Sequence, residues 1–235
     1  LSHSFSKRYF SQKFERDQFH NCVYELFELS SISQLPDLIG SRPELVGLNV
    51  TIPYKTEVIP LLDSIDPVAH DIGAVNTIKI NSVGKLIGYN TDWIGFSESL
   101  KGFISGASIE RALVLGTGGS SKAVAVALKA LGIEATHVSR SSSKGALIYN
   151  SINSEVMEAH RLIINCSPVG MYPNINEAPN LPFSLLNNRH FVYDLIYNPE
   201  ETLLMLEAAK RGAKVKNGYE MLVLQAEAAW GIWNS

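Results

Sequence analysis

The chain has 235 residues, of which 46% are hydrophobic and 18% charged, so it holds enough apolar side chains for one large packed domain or two small ones. This composition excludes a disordered or a fibrous protein. The 20 Lys and Arg are scattered and are balanced by 23 Asp and Glu, which argues against a nucleic-acid partner. Apolar stretches such as residues 123–128 fall far short of the roughly 20 residues that cross a bilayer, so we expect no membrane partner either.

Cysteine and histidine give little support for a disulfide or a metal site. Cys22 and Cys166 lie far apart, and single histidines stand at positions 20, 70, 137, 160 and 190 without a partner at metal-ligand spacing. We therefore expect buried thiols, surface or core histidines, no metal and a reducing, cytoplasmic location. The sequence begins with Leu1 and carries no charged and apolar signal segment, so we expect the natural start to lie upstream.

Apolar runs of strand length alternate with segments of helical period, which is typical of βαβ units and a mostly parallel sheet. In the first half, the predicted strands are residues 22–29, 45–51, 74–80 and 86–90, and the predicted helices are residues 5–17, 54–65 and 93–100. In the second half, the predicted strands are residues 112–116, 135–139, 162–165 and 191–194, and residues 219–233 are apolar at helical spacing. The sequence therefore predicts an α/β protein.

The domain boundary is predicted near residues 92–95, because the glycine turn at Gly116 opens a new βα unit that needs its own sheet. The last helix closes onto one of the two halves, and composition does not decide which. Its apolar stripe, with Trp230 and Trp233, is interpreted as core.

A strand, a glycine turn and a helix of small and apolar residues follow one another around Gly116, which is the context of a dinucleotide-binding fingerprint. Gly116 allows the tight turn, and Gly118 allows the backbone to approach a pyrophosphate. The N–H groups of Gly119 and Ser120 then point at the anion from the start of the helix. The third position of the fingerprint is Ser121, which is still small. The alternative is a glycine turn that binds nothing.

The end of the next strand decides which nicotinamide cofactor fits. An acidic residue there would bind a free ribose 2′-hydroxyl, whereas this segment has Arg140 and Lys144 among serines that include Ser139 and Ser141. A guanidinium is suited to a 2′-phosphate. We therefore predict NADP over NAD, the alternative being a solvated loop arginine.

Polar side chains at the predicted strand ends of the first half indicate a catalytic or binding site. Lys55 follows Pro53 at a predicted helix start, where the helix dipole disfavours a charged amine and suits it to proton exchange. Considered without the other residues, Lys55 is more simply interpreted as a charged surface residue. Asp92 also stands at a helix start, where the alternative to a functional role is an N-cap. Ligands gather at the carboxyl ends of parallel strands, so we expect Thr51, Lys55, Asn76 and Asp92 to converge.

Seven short motifs run through nearly the whole chain. They are Ser-His-Ser-Phe-Ser at 2–6, Asn-Val-Thr-Ile-Pro-Tyr-Lys at 49–55, Gly-Ala-Val-Asn-Thr at 73–77, Asn-Thr-Asp at 90–92, Gly-Thr-Gly-Gly-Ser at 116–120, Asn-Cys-Ser-Pro-Val-Gly-Met at 165–171 and Gly-Tyr-Glu-Met-Leu-Val-Leu-Gln at 218–225. In residues and in order, they resemble the motifs of the shikimate dehydrogenase family. Seven ordered matches are far more specific than any single one.

The resemblance implies a reversible oxidoreductase of chorismate and aromatic amino-acid biosynthesis, in which NADPH reduces 3-dehydroshikimate to shikimate. It implies a substrate-binding domain of residues 1–92 completed by residues 218–235, and a Rossmann-type NADP-binding domain of residues 93–217. The C-terminal helix returns to the first domain, and catalysis takes place in the cleft between the domains, where hinge closure excludes water. For such an enzyme we expect a monomer or a homodimer.

The resemblance also implies roles for single residues. Lys55 and Asp92 match the catalytic pair, in which the lysine exchanges the proton of the reacting ring oxygen and the acid orients both lysine and substrate. Ser4 and Ser6 match the pair that binds the carboxylate, and on an extended segment they face the same side. The further substrate contacts are Thr51, Asn76, Asp92, Tyr197 and Gln225. The cofactor contacts, including those from the pattern above, are Gly116, Thr117, Gly118, Gly119, Ser120, Ser139, Arg140, Ser141, Lys144, Leu195 and Gly218.

Two departures and two alternatives accompany the resemblance. The family has an apolar strand ahead of the serine motif that is absent here, and residues 141–161 are short for a full βαβ spacing, which leaves the adenosine contacts open.

A related enzyme that also accepts quinate, or uses NAD, is a close alternative. A catalytically silent NADP- or shikimate-binding regulator is a second one, although it has no need of both Lys55 and Asp92.

Overall fold

The computed structural model describes residues 4–141 and 145–235. The described helices are α1 (Phe5–Arg16), α2 (Leu35–Ser41), α3 (Pro67–Ile72), α4 (Asp92–Phe103), α5 (Gly119–Ala130), α6 (Ser154–Ala159), α7 (Leu203–Ala209) and α8 (Tyr219–Trp233). The described strands are β1 (Gly47–Asn49), β2 (Ser64–Ile65), β3 (Thr77–Ile80), β4 (Leu86–Tyr89), β5 (Arg111–Leu115), β6 (Glu134–Ser139), β7 (Ala146–Ile148), β8 (Leu162–Asn165), β9 (Phe191–Asp194) and β10 (Lys214–Lys216).

The chain packs into two compact units. The first unit comprises the residues up to Ala69, Ala74–Thr91 and Ala226–Ser235, and the second unit comprises His70–Gly73 and Asp92–Gln225. Helix α8 therefore contributes its first part to the second unit and its end to the first. Together with the sheets described below, this confirms the predicted α/β class.

The second unit is built on a six-stranded sheet of order β10-β9-β8-β5-β6-β7, in which every pair is parallel. Strands β5 and β8 are fully buried from Ala112 to Leu115 and from Leu162 to Asn165, because helices cover both faces of such a sheet and the strands are continuously apolar. The strand order reverses between β5 and β8. At such a switch point the loops that leave the carboxyl ends diverge and open a crevice.

The first unit has a mixed four-stranded sheet of order β1-β3-β4-β2, so the prediction of a mostly parallel sheet is wrong here. Strand β3 pairs antiparallel with both β1 and β4. The hairpin between β3 and β4 turns because the Asn81 side chain accepts hydrogen bonds from the N–H groups of Val83 and Lys85, at 3.0 and 2.9 Å. Gly84 supplies the positive φ of +77° in this turn.

Two predicted elements of the first unit are not formed. Residues 22–29 largely alternate between partly buried and exposed side chains, as a strand does, but they join no ladder with another described strand. Residues 54–65, predicted as a helix, form a run of turns, a short 3₁₀ helix at Ile59–Leu61 and strand β2. Pro53 and Pro60 lack the backbone donors that a continuous helix requires.

Helices α1 and α8 meet through aromatic rings in the first unit. The Phe10 ring is fully buried, and its centroid lies 4.9 Å from Tyr24 and 5.4 Å from Trp233. Lys13 donates to both carboxylate oxygens of Glu227 at 3.0 Å. The apolar stripe of the last helix is therefore core, as predicted.

Helices α4 and α8 approach each other closely within the second unit at Gly95. A Cβ atom at this position would lie 2.5 Å from the Met221 carbonyl oxygen and 2.8 Å from the Gln225 backbone nitrogen. Backbone atoms cannot swing aside as a flexible side chain can, so only glycine permits this packing.

We expect Gly95→Ala to lower the free energy of unfolding by about 1–3 kcal/mol, as overpacking does in a tight interface. Gly102→Ala is the matched control, since it lies on the same helix with open space where its Cβ would point. That variant should be neutral or more stable by up to about 1 kcal/mol. Urea denaturation of both variants measures the difference, and equal stabilities would contradict the close contact.

Candidate functional site

A cavity of about 700 Å³ opens in the second unit at the carboxyl ends of its central strands. The lining comes from the loops after β5, β6, β7 and β8 and from one further loop. The lining residues are Gly116, Thr117, Gly118, Val138, Ser139, Arg140, Ser141, Ile148, Tyr149, Asn150, Cys166, Ser167, Pro168, Val169, Ala178, Pro179 and Asn180. This volume suits part of a dinucleotide.

The glycine turn after β5 has the geometry that the fingerprint predicts. Gly116 has φ +117°, and a Cβ there would lie 3.4 Å from the backbone of Cys166 and Ser167. Gly118 is the N-cap of α5, and Gly118 and Gly119 both have open space where a Cβ would point. That space and the N–H groups of the first helical turn fit a pyrophosphate.

Strand β6 brings its predicted phosphate-binding residues to the cavity. Ser139, Arg140 and Ser141 all line it, whereas Lys144 lies outside the described residues. Strand β7 pairs in parallel with β6, with Ser139 opposite Ile148, so the next positions, Arg140 and Tyr149, are neighbours. Tyr149 also lines the cavity but is not predicted from the sequence. Strand β7, which brings Tyr149 there, has only three residues, and the apolar pattern of the sequence does not indicate it.

The opposite wall of the cavity follows β8 and is shaped by the Asn165 side chain. Its Oδ1 accepts hydrogen bonds from the N–H and hydroxyl groups of Ser167, at 3.0 and 2.6 Å. Its Nδ2 donates to Oδ1 of Asp194 at 3.0 Å. Burial raises the pKa of Asp194 to about 6, although hydrogen bonds from Thr202, Ile196 and Asn165 oppose that shift. Burial also raises the pKa of the Cys166 thiol, which disfavours its thiolate form. Cys22 and Cys166 are both free and only partly buried, so the expectation of buried thiols is wrong.

Leu195 and Gly218, both predicted to lie along the nicotinamide, contact each other. The Gly218 N–H donates to the Ile196 carbonyl at 3.1 Å, and a Cβ at Gly218 would lie 2.0 Å from the Leu195 carbonyl oxygen. No residue other than glycine fits at 218 without moving one of the two loops. Neither residue lines the cavity described above.

Polar residues of the first unit meet at one edge of its sheet. Asn49 of β1 lies opposite Thr77 of β3, which lies opposite Tyr89 of β4. Because β3 runs antiparallel to both neighbours, the residues after β1, before β3 and after β4 share that edge. Thr51 and Asn76 therefore converge, as expected, although through antiparallel pairing and not through the parallel sheet assumed from the sequence.

A chain of buried hydrogen bonds fixes this edge. Oδ1 of Asn76 accepts from the Thr91 N–H at 2.7 Å and from the Thr77 hydroxyl at 3.1 Å. Asn49 donates to the Thr77 hydroxyl at 3.2 Å and accepts from the Tyr24 hydroxyl at 2.9 Å. Asn76, Thr77 and Thr91 are at most 4% exposed, so these bonds satisfy polar groups that water does not reach. The backbone immediately before Asp92 is thereby held in place.

The two predicted carboxylate-binding serines do not lie on an extended segment. Ser4 is the N-cap of α1 and accepts from the Lys7 N–H at 3.3 Å, while Ser6 lies within the helix. Two residues along a helix are about 200° apart around its axis, so the expected common side is wrong. Burial raises the pKa of Tyr24 to about 12, although a hydrogen bond with Ser6 opposes that shift.

The predicted catalytic pair is divided between the units. Lys55 lies in the run of turns after β1, and its carbonyl accepts from the Val75 N–H at 2.7 Å. Lys55 therefore does not stand at a helix N-terminus, and the predicted effect of a helix dipole on this lysine is wrong. Asp92 does begin α4, as predicted. Tyr197 is 38% exposed on the loop after β9, and Gln225 is buried on α8.

Two of the histidines that were predicted to be surface or core residues lie in the core. His160 and His190 are buried, and each uses both ring nitrogens, with Thr136 and the Val156 carbonyl for the former and with Asn187 and the Met157 carbonyl for the latter. Within residues 4–141 and 145–235, no three or more His, Cys, Asp or Glu side chains form a group that is able to hold a metal. None of the helices in the described part of the chain is long and apolar enough to cross a membrane.

Comparison with known proteins identifies relatives over most of the chain. Residues 1–78 match the model of the shikimate dehydrogenase substrate binding domain. The shikimate dehydrogenase (NADP⁺) of Methanococcus vannielii is 36% identical over 91% of this chain and 81% of its own length. That of Aquifex aeolicus is 39% identical with the same coverage.

Solved structures agree with the sequence comparison. The shikimate 5-dehydrogenase of Thermus thermophilus, solved with NADP(H) and shikimate, superposes with a TM-score of 0.82 at 31% identity over 99% of this chain and 89% of its own. The quinate dehydrogenase of Corynebacterium glutamicum, solved with NAD, superposes with a TM-score of 0.87 at 27% identity over 99% and 90%. Because the two curated relatives are 36% and 39% identical over 81% of their own length, this chain belongs to the shikimate dehydrogenase family.

Proposed function

We propose that this protein catalyses the reversible NADP-dependent reduction of 3-dehydroshikimate to shikimate, a step of chorismate and aromatic amino-acid biosynthesis. The observation that carries the proposal is the dinucleotide cavity of the second unit, where a glycine turn and Arg140 line one space. Relatives named shikimate dehydrogenase (NADP⁺) support the substrate and the cofactor. We further propose that the enzyme is cytoplasmic and acts as a monomer or a homodimer.

The second unit would hold the cofactor. Gly116, Thr117, Gly118, Gly119 and Ser120 would surround the pyrophosphate at the start of α5. Ser139, Arg140, Ser141 and Lys144 would bind the ribose 2′-phosphate, and Leu195 and Gly218 would flank the nicotinamide. When bound, NADPH supplies the hydride that reduces the ketone.

The proposed substrate contacts and the proton donor are those that the family resemblance implies. We assign Lys55 the proton transfer to the ketone oxygen as it becomes an alcohol, and Asp92 the orientation of this lysine and of a substrate hydroxyl. Ser4 and Ser6 would bind the carboxylate. The remaining substrate contacts would be Thr51, Asn76, Tyr197 and Gln225. On this assignment the substrate domain is residues 1–92 with 218–235, and the NADP domain is residues 93–217.

An assay of NADPH or NADH formation tests the proposal directly. Shikimate and quinate are each offered with NADP⁺ and with NAD⁺, and we expect turnover to be greatest with shikimate and NADP⁺. Faster turnover of quinate with NAD⁺ would instead place the chain with enzymes such as the Corynebacterium protein. Binding of NADP⁺ without turnover of either substrate would favour the silent regulator.

We expect Lys55→Met to lower turnover by about 10²-fold or more, which is the usual contribution of a general acid–base group, while the KM for shikimate changes much less. Lys85→Met is the matched control, because Lys85 is an exposed lysine at the β3–β4 turn of the same unit. Steady-state kinetics of both variants measures the effect. Near-normal turnover in Lys55→Met would remove this lysine from the mechanism.

We expect Arg140→Ala to raise the KM for NADP⁺ by at least about 10-fold, because a charge-assisted bond to the 2′-phosphate is lost, and to leave the KM for NAD⁺ nearly unchanged. Arg111→Ala serves as control, since Arg111 lies at the opposite end of the same sheet in an exposed ion pair with Glu134. The two cofactors are compared at saturating shikimate. An equal loss with both would argue against a 2′-phosphate contact.

A further inference from the structure

A buried carboxylate lies behind the cofactor cavity, at the carboxyl end of β9. Asp194 is fully buried, and both of its oxygens accept hydrogen bonds. Oδ1 accepts from Asn165 Nδ2 and from the Ile196 N–H, each at 3.0 Å, and Oδ2 accepts from the Thr202 hydroxyl at 2.7 Å. An isolated carboxylate in such a place is costly, so these donors are what allows it to be there.

The Asn165 bond connects Asp194 to the cavity wall. An asparagine amide can point either way, and the carboxylate accepts only from its Nδ2 side. Oδ1 of Asn165 is thereby directed at Ser167, whose N–H and hydroxyl it binds. Ser167 itself lines the cavity opposite Gly116. The carboxylate therefore fixes the wall without touching its inner surface.

The Ile196 bond connects Asp194 to a second loop. The same loop is held by the Leu195 N–H, which donates to the Asn165 carbonyl at 3.0 Å. On its other side it contacts Gly218, which donates to the Ile196 carbonyl at 3.1 Å. One carboxylate oxygen thus joins the wall after β8 to the loop that carries Leu195.

We propose that Asp194 is a positioning residue for cofactor binding, which holds the wall at Asn165–Val169 and the loop at Leu195–Tyr197 in one fixed arrangement. The proposal rests on the proposed function in that the cavity takes NADP. Asp194 does not contact the cofactor in this account. It acts through Asn165 and Ile196, and the bond to Thr202 serves only to anchor α7, whose N-cap is Thr202.

The test is the dissociation constant of NADP⁺, measured by calorimetry without substrate. We expect Asp194→Ala to weaken NADP⁺ binding at least about 10-fold, the free-energy range of a lost hydrogen bond to a charged group. Asp194→Asn should restore binding to within about threefold, because its Oδ1 accepts both loop donors and its Nδ2 donates to the Thr202 oxygen. Asn165→Ala should weaken binding as Asp194→Ala does, and it decides the matter if Asp194→Ala does not fold.

Thr202→Val is the matched control. It removes the bond to Oδ2 and the cap of α7 but keeps both bonds to the loops, so it should lower the melting temperature and leave NADP⁺ affinity unchanged. Equal affinity in wild type, Asp194→Ala and Asn165→Ala would overturn the positioning role, as would a loss in Thr202→Val as large as that in Asp194→Ala. Failure of the wild-type protein itself to bind NADP⁺ would overturn the proposed function instead.

Discussion

The second unit depends on the close approach of two backbone segments at the point where its strand order reverses. Strands β5 and β8 are neighbours in the sheet although two other strands separate them in the chain. At their ends, Gly116 stands so near Cys166 and Ser167 that a Cβ would touch their backbone atoms. With φ +117°, this position favours glycine through its backbone conformation, and a Cβ would be in van der Waals contact with the neighbouring segment. The start of α5 and the opening of the cavity both follow from this turn.

Buried polar groups hold neighbouring segments together in both units, and they do so by the same physical rule. A polar atom removed from water needs a partner, so each network permits one arrangement of the segments it joins. In the first unit, Asn76 and Thr91 fix the edge that leads to Asp92. In the second unit, Ser99 hydrogen-bonds to the Tyr193 hydroxyl at 2.9 Å and to Glu220 at 2.6 Å. Apolar packing alone tolerates small shifts that such networks do not.

The predictable part of the fold is the part whose pattern is local. Strands β5, β6, β8 and β9 are predicted within about a residue. For β5, β8 and β9 the reason is that a strand buried on both faces is largely an apolar run. Residues 22–29 have the composition of a strand, but a strand also needs a partner, and pairing depends on distant residues. The failure at 54–65 was foreseeable, since Pro53 and Pro60 both oppose a helix.

The residues of the candidate site divide in the same way, into those that a local pattern predicts and those whose position depends on distant parts of the chain. The glycine turn and Arg140 are predictable, because each is recognised from residues that are adjacent in the sequence. The chain of hydrogen bonds from Tyr24 to Thr91 was not, since it depends on the register that places Asn49 opposite Thr77. Tyr149 was also not predictable, because only the pairing of β7 with β6 brings it beside Arg140.

Cofactor and substrate selectivity are separable in this architecture. The residues proposed to distinguish NADP from NAD lie at the end of β6 in the second unit, on a segment that contributes nothing to the polar edge of the first. Thr51 and Asn76, two of the residues proposed to bind the substrate, lie on that edge, where Asn76 is held by neighbours of its own unit. On the proposed assignment, a change at Arg140 is expected to alter cofactor binding while the hydrogen bonds of Asn76 within its own unit persist. Cofactor preference would then be changed by substitutions at the end of β6 without a substitution on the edge that carries Thr51 and Asn76, because the two sets of residues lie on different sheets.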